Sequence, residues 1–558
     1  MLQHLTMGII KRASETILKR LSWATAHKDQ AGIAKDLAQG KDISEVYGVG
    51  EAGLFDEFFY FLDQFHILDL FFKLDPNASQ RQSNVHFPTV ILIYLMRVVA
   101  GLSFFWHTHP VLLRSQPLMR LVGFNGREVR DGTSKRGTNK TSQEDTQDPT
   151  PVRGPICTDS IAAYIQAISA QALEKLINKV VAILAQHHFF PKRIHALLDA
   201  SEIESTERCQ GCGKVSKEKP PELRLRKGRI RKVIETVFGF KLWLLWNPTS
   251  RLPLAVRFDT IEVSDVTYTQ EIITQAISNL GDHAQIASVA MDRGFLDGQD
   301  LWWLHDQMNI TFYIPAKTSL AVYKDALSLM GTGRIQTRQR KRTVGAGKNK
   351  KTVSDSWKVE GIQGLTSAGF YGEKGSGSHE NRKDFVPNPI NAVAVLDDPY
   401  RQNNPQSDIL VILTNAPVDK PLGVYDGYDA RSEIENGQFR EAKQAWFIER
   451  PARNTAAGFR SHVYLTLVTM ALTTAFRTWM DQQDKLAREG KETGIRKFRE
   501  QVKQQNGNKL IVFDDDRYAI FDTYEVFILC GTTVLKPTGV RQAISKRDIL
   551  IKYGVCLE

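Results

Sequence analysis

The first 125 residues repeat apolar side chains at helical intervals. Glu57-Phe58-Phe59-Tyr60-Phe61-Leu62 runs on through Phe65-His-Ile-Leu-Asp-Leu-Phe-Phe, with apolar positions three and four apart. That spacing predicts a helical region over 1–125. Over 125–155 the pattern stops: GREVRDGTSKRGTNKTSQEDTQDPTPVRGP is rich in Gly, Thr, Lys and Pro and almost free of apolar residues. Such a stretch reads as a linker or mobile arm. A helical pattern returns at Cys157 and continues to about His188, with Thr158-Asp159 as its expected cap.

From residue 191 the period shortens. Residues 194–199 form a short apolar run ending in Asp199, and 237–246 and 254–258 are further strand candidates. A helix is predicted over 268–280. A second apolar run, 286–292, ends in Asp292, followed by a helix at 297–307 and a strand at 310–314. Three strands, then helix, strand, helix, strand predict a mixed α/β sheet. Gly, Ser and Pro break the pattern over 318–425, where strands are expected at 392–396 and 409–413, so this region reads as a β-rich insertion. One long helix is predicted over 428–447 and an apolar one over 460–480. A charged stretch and a strand-rich tail (LIVFDDDRYAIFD, VFILCG) follow in 481–558.

Composition narrows the class. With 558 residues, 42% hydrophobic and 24% charged, the chain is an ordinary folded protein of several domains. Its 73 Lys+Arg against 62 Asp+Glu leave a net charge of +11, which favours a polyanionic partner. Five scattered cysteines argue against a disulfide scaffold and for a reducing cytoplasm. Neither apolar run, 89–106 (interrupted by Arg97) or 463–476 (14 residues), suits a spanning helix of roughly 20 residues, so both are expected to be buried helices. The amino terminus lacks the apolar core of an export signal.

Carboxylates carry the candidate chemistry. Asp199 and Asp292 each end a predicted strand, where an open α/β sheet presents side chains to a ligand crevice; two acids at strand ends are also a common coincidence. In YDARSEIENGQFREAKQAW, at about 100° per residue from Tyr428, Arg431 falls near 300° and Glu435 near 340°, whereas Glu433 falls near 140°. Tyr428, Arg431 and Glu435 therefore share one face of the predicted helix. A solvated helix laced with intrahelical pairs is the plainer alternative.

These residues resemble the motifs of bacterial insertion-sequence transposases of the DDE type. LLDASEIEST, MDRGFLDGQDLWWL followed by ITFYIPAK, and YDARSEIEN before FREAK stand in the family's order across 190–450. The resemblance implies a ribonuclease-H-like core interrupted by a β-rich insertion, matching the 143 positions between Asp292 and Glu435. It implies that Asp199, Asp292 and Glu435 are catalytic and bind Mg²⁺, with Mn²⁺ as a substitute. Two such ions roughly 3.5–4 Å apart would serve the attacking and leaving oxygens. It also implies that Tyr428 and Arg431 contact phosphate, with Arg293, Lys317 and Lys443 as further DNA contacts. In the family's Tyr-Arg-Glu-Lys signature the lysine follows the glutamate by seven residues. Here position 442 is alanine and Lys443 is the nearest lysine.

The implied partners are double-stranded DNA, as terminal inverted repeats and as target, and a second copy of the chain on paired ends. The implied activity is metal-dependent cleavage and strand transfer by a cytoplasmic, nucleoid-associated protein. A nuclease without strand transfer and an inactive DNA-binding derivative are the alternatives. The expected domains are 1–125 (helical, DNA binding), 126–155 (linker), 156–190 (helical lead-in), 191–317 (first part of the core), 318–425 (insertion), 426–480 (core completion) and 481–558 (C-terminal region).

Binding signals surround this core. Residues 214–232 hold nine Lys/Arg against two acids, and 338–351 seven against none. Such runs bind DNA with strong salt dependence, or serve as solvated basic loops. Trp302, Trp303 and Trp446 could stack on unpaired bases, although core packing is the commoner fate of tryptophan. Cys209 and Cys212 have zinc-knuckle spacing without a second pair. His187, His188 and His195 fit a turn beside the first Asp strand better than a zinc site. Gly48-Val-Gly-Glu-Ala-Gly53 matches a dinucleotide fingerprint but follows no apolar strand.

Overall fold

Met1–Leu176 with Ala442–Glu558 forms one unit of the chain and Ile177–Glu441 the other. The computed structural model describes residues 28–76, 85–133, 155–218, 225–226, 229–230, 234–344, 351–368, 371, 388–396, 409–482, 494–531 and 545–555.

The front of the first unit is helical apart from one short strand, β1 (Glu45–Gly48). Helix Ala52–Gln64 buries Phe55, Phe58, Phe59, Phe61 and Leu62, the periodic positions of the sequence. Helix Phe87–Ala100 has Pro88 in its first turn and ends at Gly101, whose φ of 67° suits glycine. The predicted apolar helix through Trp106 therefore stops early, and 101–108 turns away as a loop with a short 3₁₀ turn, Phe105–His107, before the π-helical segment His109–Leu113. Among the described residues no single helix is long and apolar enough to cross a membrane.

Two expectations here need correction. Gly126–Asp131, the start of the predicted linker, is a helix closed by a reciprocal capping box between Asn125 and Glu128; 134–154 lie outside the described residues. The predicted helix from 157 to 188 is two helices, Thr158–Gln166 and Ala170–Gln186. Cys157 is the first N-cap, and the Ser169 hydroxyl receives the Ala172 N–H at the second.

The second unit is built on β2 (Arg193–Ser205), β3 (Gly213–Glu218), the two-residue pair β4 (Leu225–Arg226) and β5 (Arg229–Ile230), β6 (Ile234–Asn247), β7 (Leu252–Thr260), β8 (Gln285–Met291) and β9 (Thr311–Pro315). They are followed by β10 (Arg334–Val344), β11 (Lys351–Leu365), β12 (Ile390–Leu396) and β13 (Leu410–Thr414). One sheet runs β10-β11-β12-β13-β9-β8-β2-β6-β3, with β7 also on β6. β2, β8 and β9 are parallel neighbours, whereas β6 and β7 are antiparallel. Helices Thr269–Leu280 and Gly298–Asp306 lie between the successive parallel strands, as such crossovers require. The mixed α/β expectation therefore matches. The region read as an insertion continues this sheet, because β13 pairs with β9. Its 338–344 segment is strand β10 of a long hairpin and not a loop, while 345–350 lie outside the described residues.

In the back of the first unit, Ala456–Gln482 is a 27-residue helix and Ile495–Asn506 a shorter one. β14 (Lys509–Asp514) and β15 (Arg517–Asp522) form a hairpin, and β14 pairs with β1. Described segments 28–76 and 494–531 thus share a sheet, packed on Ile33, Leu37, Val512, Phe521 and Leu529. Tyr518 and Lys28 both reach the buried Asp56 carboxylate at 2.5 Å. The tail segment VFILCG, predicted as strand, falls largely in helix Thr523–Leu529, which starts at the Asp522–Glu525 capping box.

Candidate functional site

The parallel pairing of β2 and β8 matches Leu198 with Met291, so Asp199 and Asp292 follow at the same level on neighbouring strands. Asp199 does not end its strand: β2 runs six residues further, paired to β6. What ends there is β8. Asp292 caps the 3₁₀ turn Arg293–Phe295, and buried Phe295 anchors that turn. A carboxylate inside a paired strand beside one at a strand end gives a rigid floor.

The third acid arrives differently from the prediction. Residues 428–447 are not one helix. Helix Pro421–Asp429 ends, Ala430 and Arg431 form a break, and Ile434–Phe439 is a π-helical turn before Arg440–Gln444. π turns concentrate at functional sites. Gly427 lets the first helix approach the sheet, since a Cβ there would lie 2.7 Å from the Tyr313 ring on β9.

Arg431 joins the acids. Its Nη1 donates to Asp199 Oδ2 at 3.3 Å and to Glu435 Oε1 at 3.0 Å. Asp199 is 7% exposed, whereas Glu435 is largely open. Burial pushes the Asp199 carboxyl up to about 7; Arg431 and the Ala200 N–H oppose this, and Glu435 and Asp292 add to it. Burial also raises the Tyr428 phenol, against the pull of Arg431, with Asp292 adding to the rise. Burial disfavours the Arg431 charge, but Tyr428, Glu435, Asp292 and Asp199 outweigh it and hold the guanidinium firmly protonated. Tyr428, Arg431, Glu435, Asp199 and Asp292 thus form one interacting set.

The other candidates divide. Arg293 is exposed next to Asp292, and its charge reaches Tyr428. Lys317 is exposed two residues beyond β9. Lys443 pairs with Glu449 at 2.9 Å. Of the basic runs, Lys217 pairs with Glu202 and Arg338 with Asp426, while Arg340 and Lys341 are exposed on β10. The side chains of 219–233 lie outside the described residues.

The tryptophans follow the commoner course, packing rather than stacking on a base. Trp303 and Trp446 are buried, and Trp302 packs on Tyr371 at 5.0 Å. Among the described residues the exposed tryptophan is Trp106, which lies beyond the end of the helix expected to bury it. Cys212 Sγ lies 3.2 Å from the Cys209 carbonyl, and His195 Nδ1 lies 2.8 Å from Ser288 Oγ across the sheet. Among the described residues no group of three or more His, Cys, Asp or Glu is arranged to hold a metal ion. Gly48 closes the short strand β1, none of whose residues is buried, so no apolar strand precedes the glycines, as expected. That strand is antiparallel to β14, and Gly53 packs against Asn506 and Val49, so no βαβ phosphate cradle forms.

The family model described as "Transposase DDE domain" matches residues 191–473, half of the chain. The chain belongs to the DDE transposase family. The matched DDE domain includes Asp199, Asp292 and Glu435. No curated protein matches the chain. A solved structure, "Cryo-EM structure of piggyBac transposase synaptic complex with hairpin DNA (SNHP)", aligns at 9% identity and TM-score 0.37. That alignment covers 79% of this chain and 78% of that one, a likeness too slight to carry an argument.

Proposed function

We propose that this DDE transposase cleaves and joins DNA at the terminal inverted repeats of a bacterial insertion sequence, with Asp199, Asp292 and Glu435 as its catalytic carboxylates. One observation carries the reading: three acids separated by 93 and 143 positions in sequence gather around the single guanidinium of Arg431. The sheet beneath them, three antiparallel strands followed by two parallel ones, supports a ribonuclease-H-like core.

The donor set fits a hard divalent cation such as Mg²⁺ or Mn²⁺. It is all carboxylate, and it already draws a cation, Arg431, between two of its acids. Asp199, Asp292 and Glu435 would hold the metal, which when bound would offset charge on the attacking and departing oxygens. The chain's own groups do the rest. Arg431, always protonated and with several donors, can pair with the phosphate beside the scissile bond once freed from the acids. Tyr428, kept protonated, can donate a second hydrogen bond. Arg293 and Lys317, exposed at the same end of the sheet, are suited to flanking phosphates.

The signature lysine can be traced through the π turn. A turn closed by i→i+5 bonds holds one residue more than an α turn, so Lys443, eight residues after Glu435, keeps the helical phase of seven. We take Lys443 as the lysine of a Tyr-Arg-Glu-Lys signature, acting on DNA once released from Glu449. The exposed basic hairpin β10–β11 would track the duplex backbone. The protein would work in the cytoplasm as a homodimer on paired ends, with its helical amino-terminal region binding DNA.

The test incubates purified protein with DNA carrying the short inverted repeats that flank its gene, in Mg²⁺ or in EDTA. The reading predicts cleaved and joined products with Mg²⁺ alone, and none from Asp199→Ala, Asp292→Ala or Glu435→Gln. Full cleavage by these variants, or cleavage in EDTA, would overturn the assignment. Cleaved ends without joined products would favour the nuclease alternative.

A further inference from the structure

Segment 101–108 of the first unit has surroundings that the catalytic reading leaves unused. Phe104 and Trp106 are 47% and 64% exposed, with rings 20° from parallel and centroids 6.5 Å apart. His107 packs edge-on against the indole at 4.0 Å. The exposed Arg450 guanidinium lies 4.5 Å from the Phe104 ring centroid, and no described carboxylate pairs with it. Arg453, also exposed, is three residues on.

Behind them, Arg97 is 1% exposed. It lies 5.2 Å from the Phe105 ring, and among the described residues it donates to the Arg450 carbonyl alone, at 3.3 Å, while its Nε has no partner there. A buried cation without an anion is costly to keep. The turn that presents Arg450 is also held in an unusual conformation. Phe447 has φ of 55°, rare for a bulky residue, and its carbonyl accepts from His462 Nε2 at 3.0 Å and from the Arg450 N–H at 2.9 Å.

We propose that Phe104, Trp106, Arg97 and Arg450 form a site for an unpaired DNA strand, with a base stacked on Trp106 and its phosphate drawn to Arg450. The aromatic face selects an exposed base. The arginines, with no described acid among their partners, supply the complementary charge. This inference rests on the DNA-processing reading above and names a substrate feature for it: unpaired nucleotides beside a cut end. A duplex keeps its bases stacked inside and cannot offer them to Trp106.

The experiment measures affinity of the full chain for a fluorescein-labelled single-stranded oligonucleotide and for its duplex, using 2-aminopurine fluorescence to report stacking. Trp106→Ala should weaken single-strand binding roughly tenfold or more, remove the stacking signal and leave duplex binding unchanged. Trp106→Phe should restore most of the loss. Arg450→Gln should lower the salt slope of single-strand binding by about one. Unchanged single-strand affinity in both Trp106→Ala and Arg450→Gln overturns the site while duplex binding leaves the transposase reading intact. Absence of binding to either DNA by the wild type overturns both. Light scattering showing a Trp106-dependent dimer without any DNA effect would assign the patch to a second copy and overturn the proposal.

Discussion

Asp199 in the sheet and Arg97 in the helical unit are buried groups of opposite sign, and neither is fully compensated by its neighbours. Asp199 has one cation, Arg431, and two further acids close by, so its neighbourhood remains negative. Arg97 has no described carboxylate, and its neighbour His462 is held neutral, its pKa pushed down to about 3 by burial and by Arg97 itself. His462 is also fixed as a tautomer. The Phe447 carbonyl can only accept, so Nε2 carries the proton and Nδ1 receives the Tyr94 hydroxyl at 2.7 Å. Each arrangement costs stability, and each is relieved by a ligand of the opposite sign, a divalent cation at one and a phosphate at the other. The sign of the uncompensated charge points to the ligand.

The strongest challenge to this comparison is to neutralise each charge in place. Asp199→Asn should cut DNA cleavage at least about a thousandfold. Its thermal unfolding midpoint at pH 8 should match or exceed the wild type, because the burial cost of the ionised carboxyl is removed. A large fall in melting temperature would mean that the carboxylate serves stability.

The next effect is a pH dependence in the other unit. His462 stays neutral when folded, whereas the unfolded chain takes up a proton below about pH 6.5. The stability this histidine confers is therefore present above pH 6.5 and is lost as pH falls toward 3, on the order of 4 kcal/mol in all. Melting curves across that range should flatten for His462→Gln; an unchanged slope would reject the buried neutral histidine.

Arg97→Met replaces a buried cation with an apolar side chain of similar length. It should leave stability unchanged or raise it by about 1–2 kcal/mol while weakening single-strand binding. A loss above about 3 kcal/mol in chemical denaturation would show that Arg97 is compensated in the native chain. The smallest effect belongs to Lys317→Ala, which should lower the salt slope of duplex binding by about one without changing its sequence preference.

The sequence revealed the sheet's centre because β8, β9 and the helices around them are apolar runs with clear breaks, and Asp292 falls at one of those breaks. Asp199 was readable as a motif residue but not as a mid-strand residue, since β2 continues through SEIES, which carries no apolar alternation. Tyr428, Arg431 and Glu435 were grouped on an ideal helix. The chain instead breaks at Ala430 and widens at Ile434, yet Arg431 still reaches Glu435. β10 and β11 were hidden by their lysines and arginines. The pairing of β1 with β14 joins segments more than 450 positions apart, beyond any local pattern. Gly101 could have revealed the exposed loop: a glycine inside an apolar run is a natural helix end, and Phe104 and Trp106 lie beyond it.

The central claim is that Asp199, Asp292 and Glu435 together form a cation site on this sheet. Titration of Mn²⁺ into the protein at pH 8, read by electron paramagnetic resonance of the free ion, tests it without any DNA. The account predicts saturable binding to the wild type and at least tenfold weaker binding to Asp199→Asn, Asp292→Asn and Glu435→Gln. Equal Mn²⁺ affinity in the wild type and all three variants would contradict it.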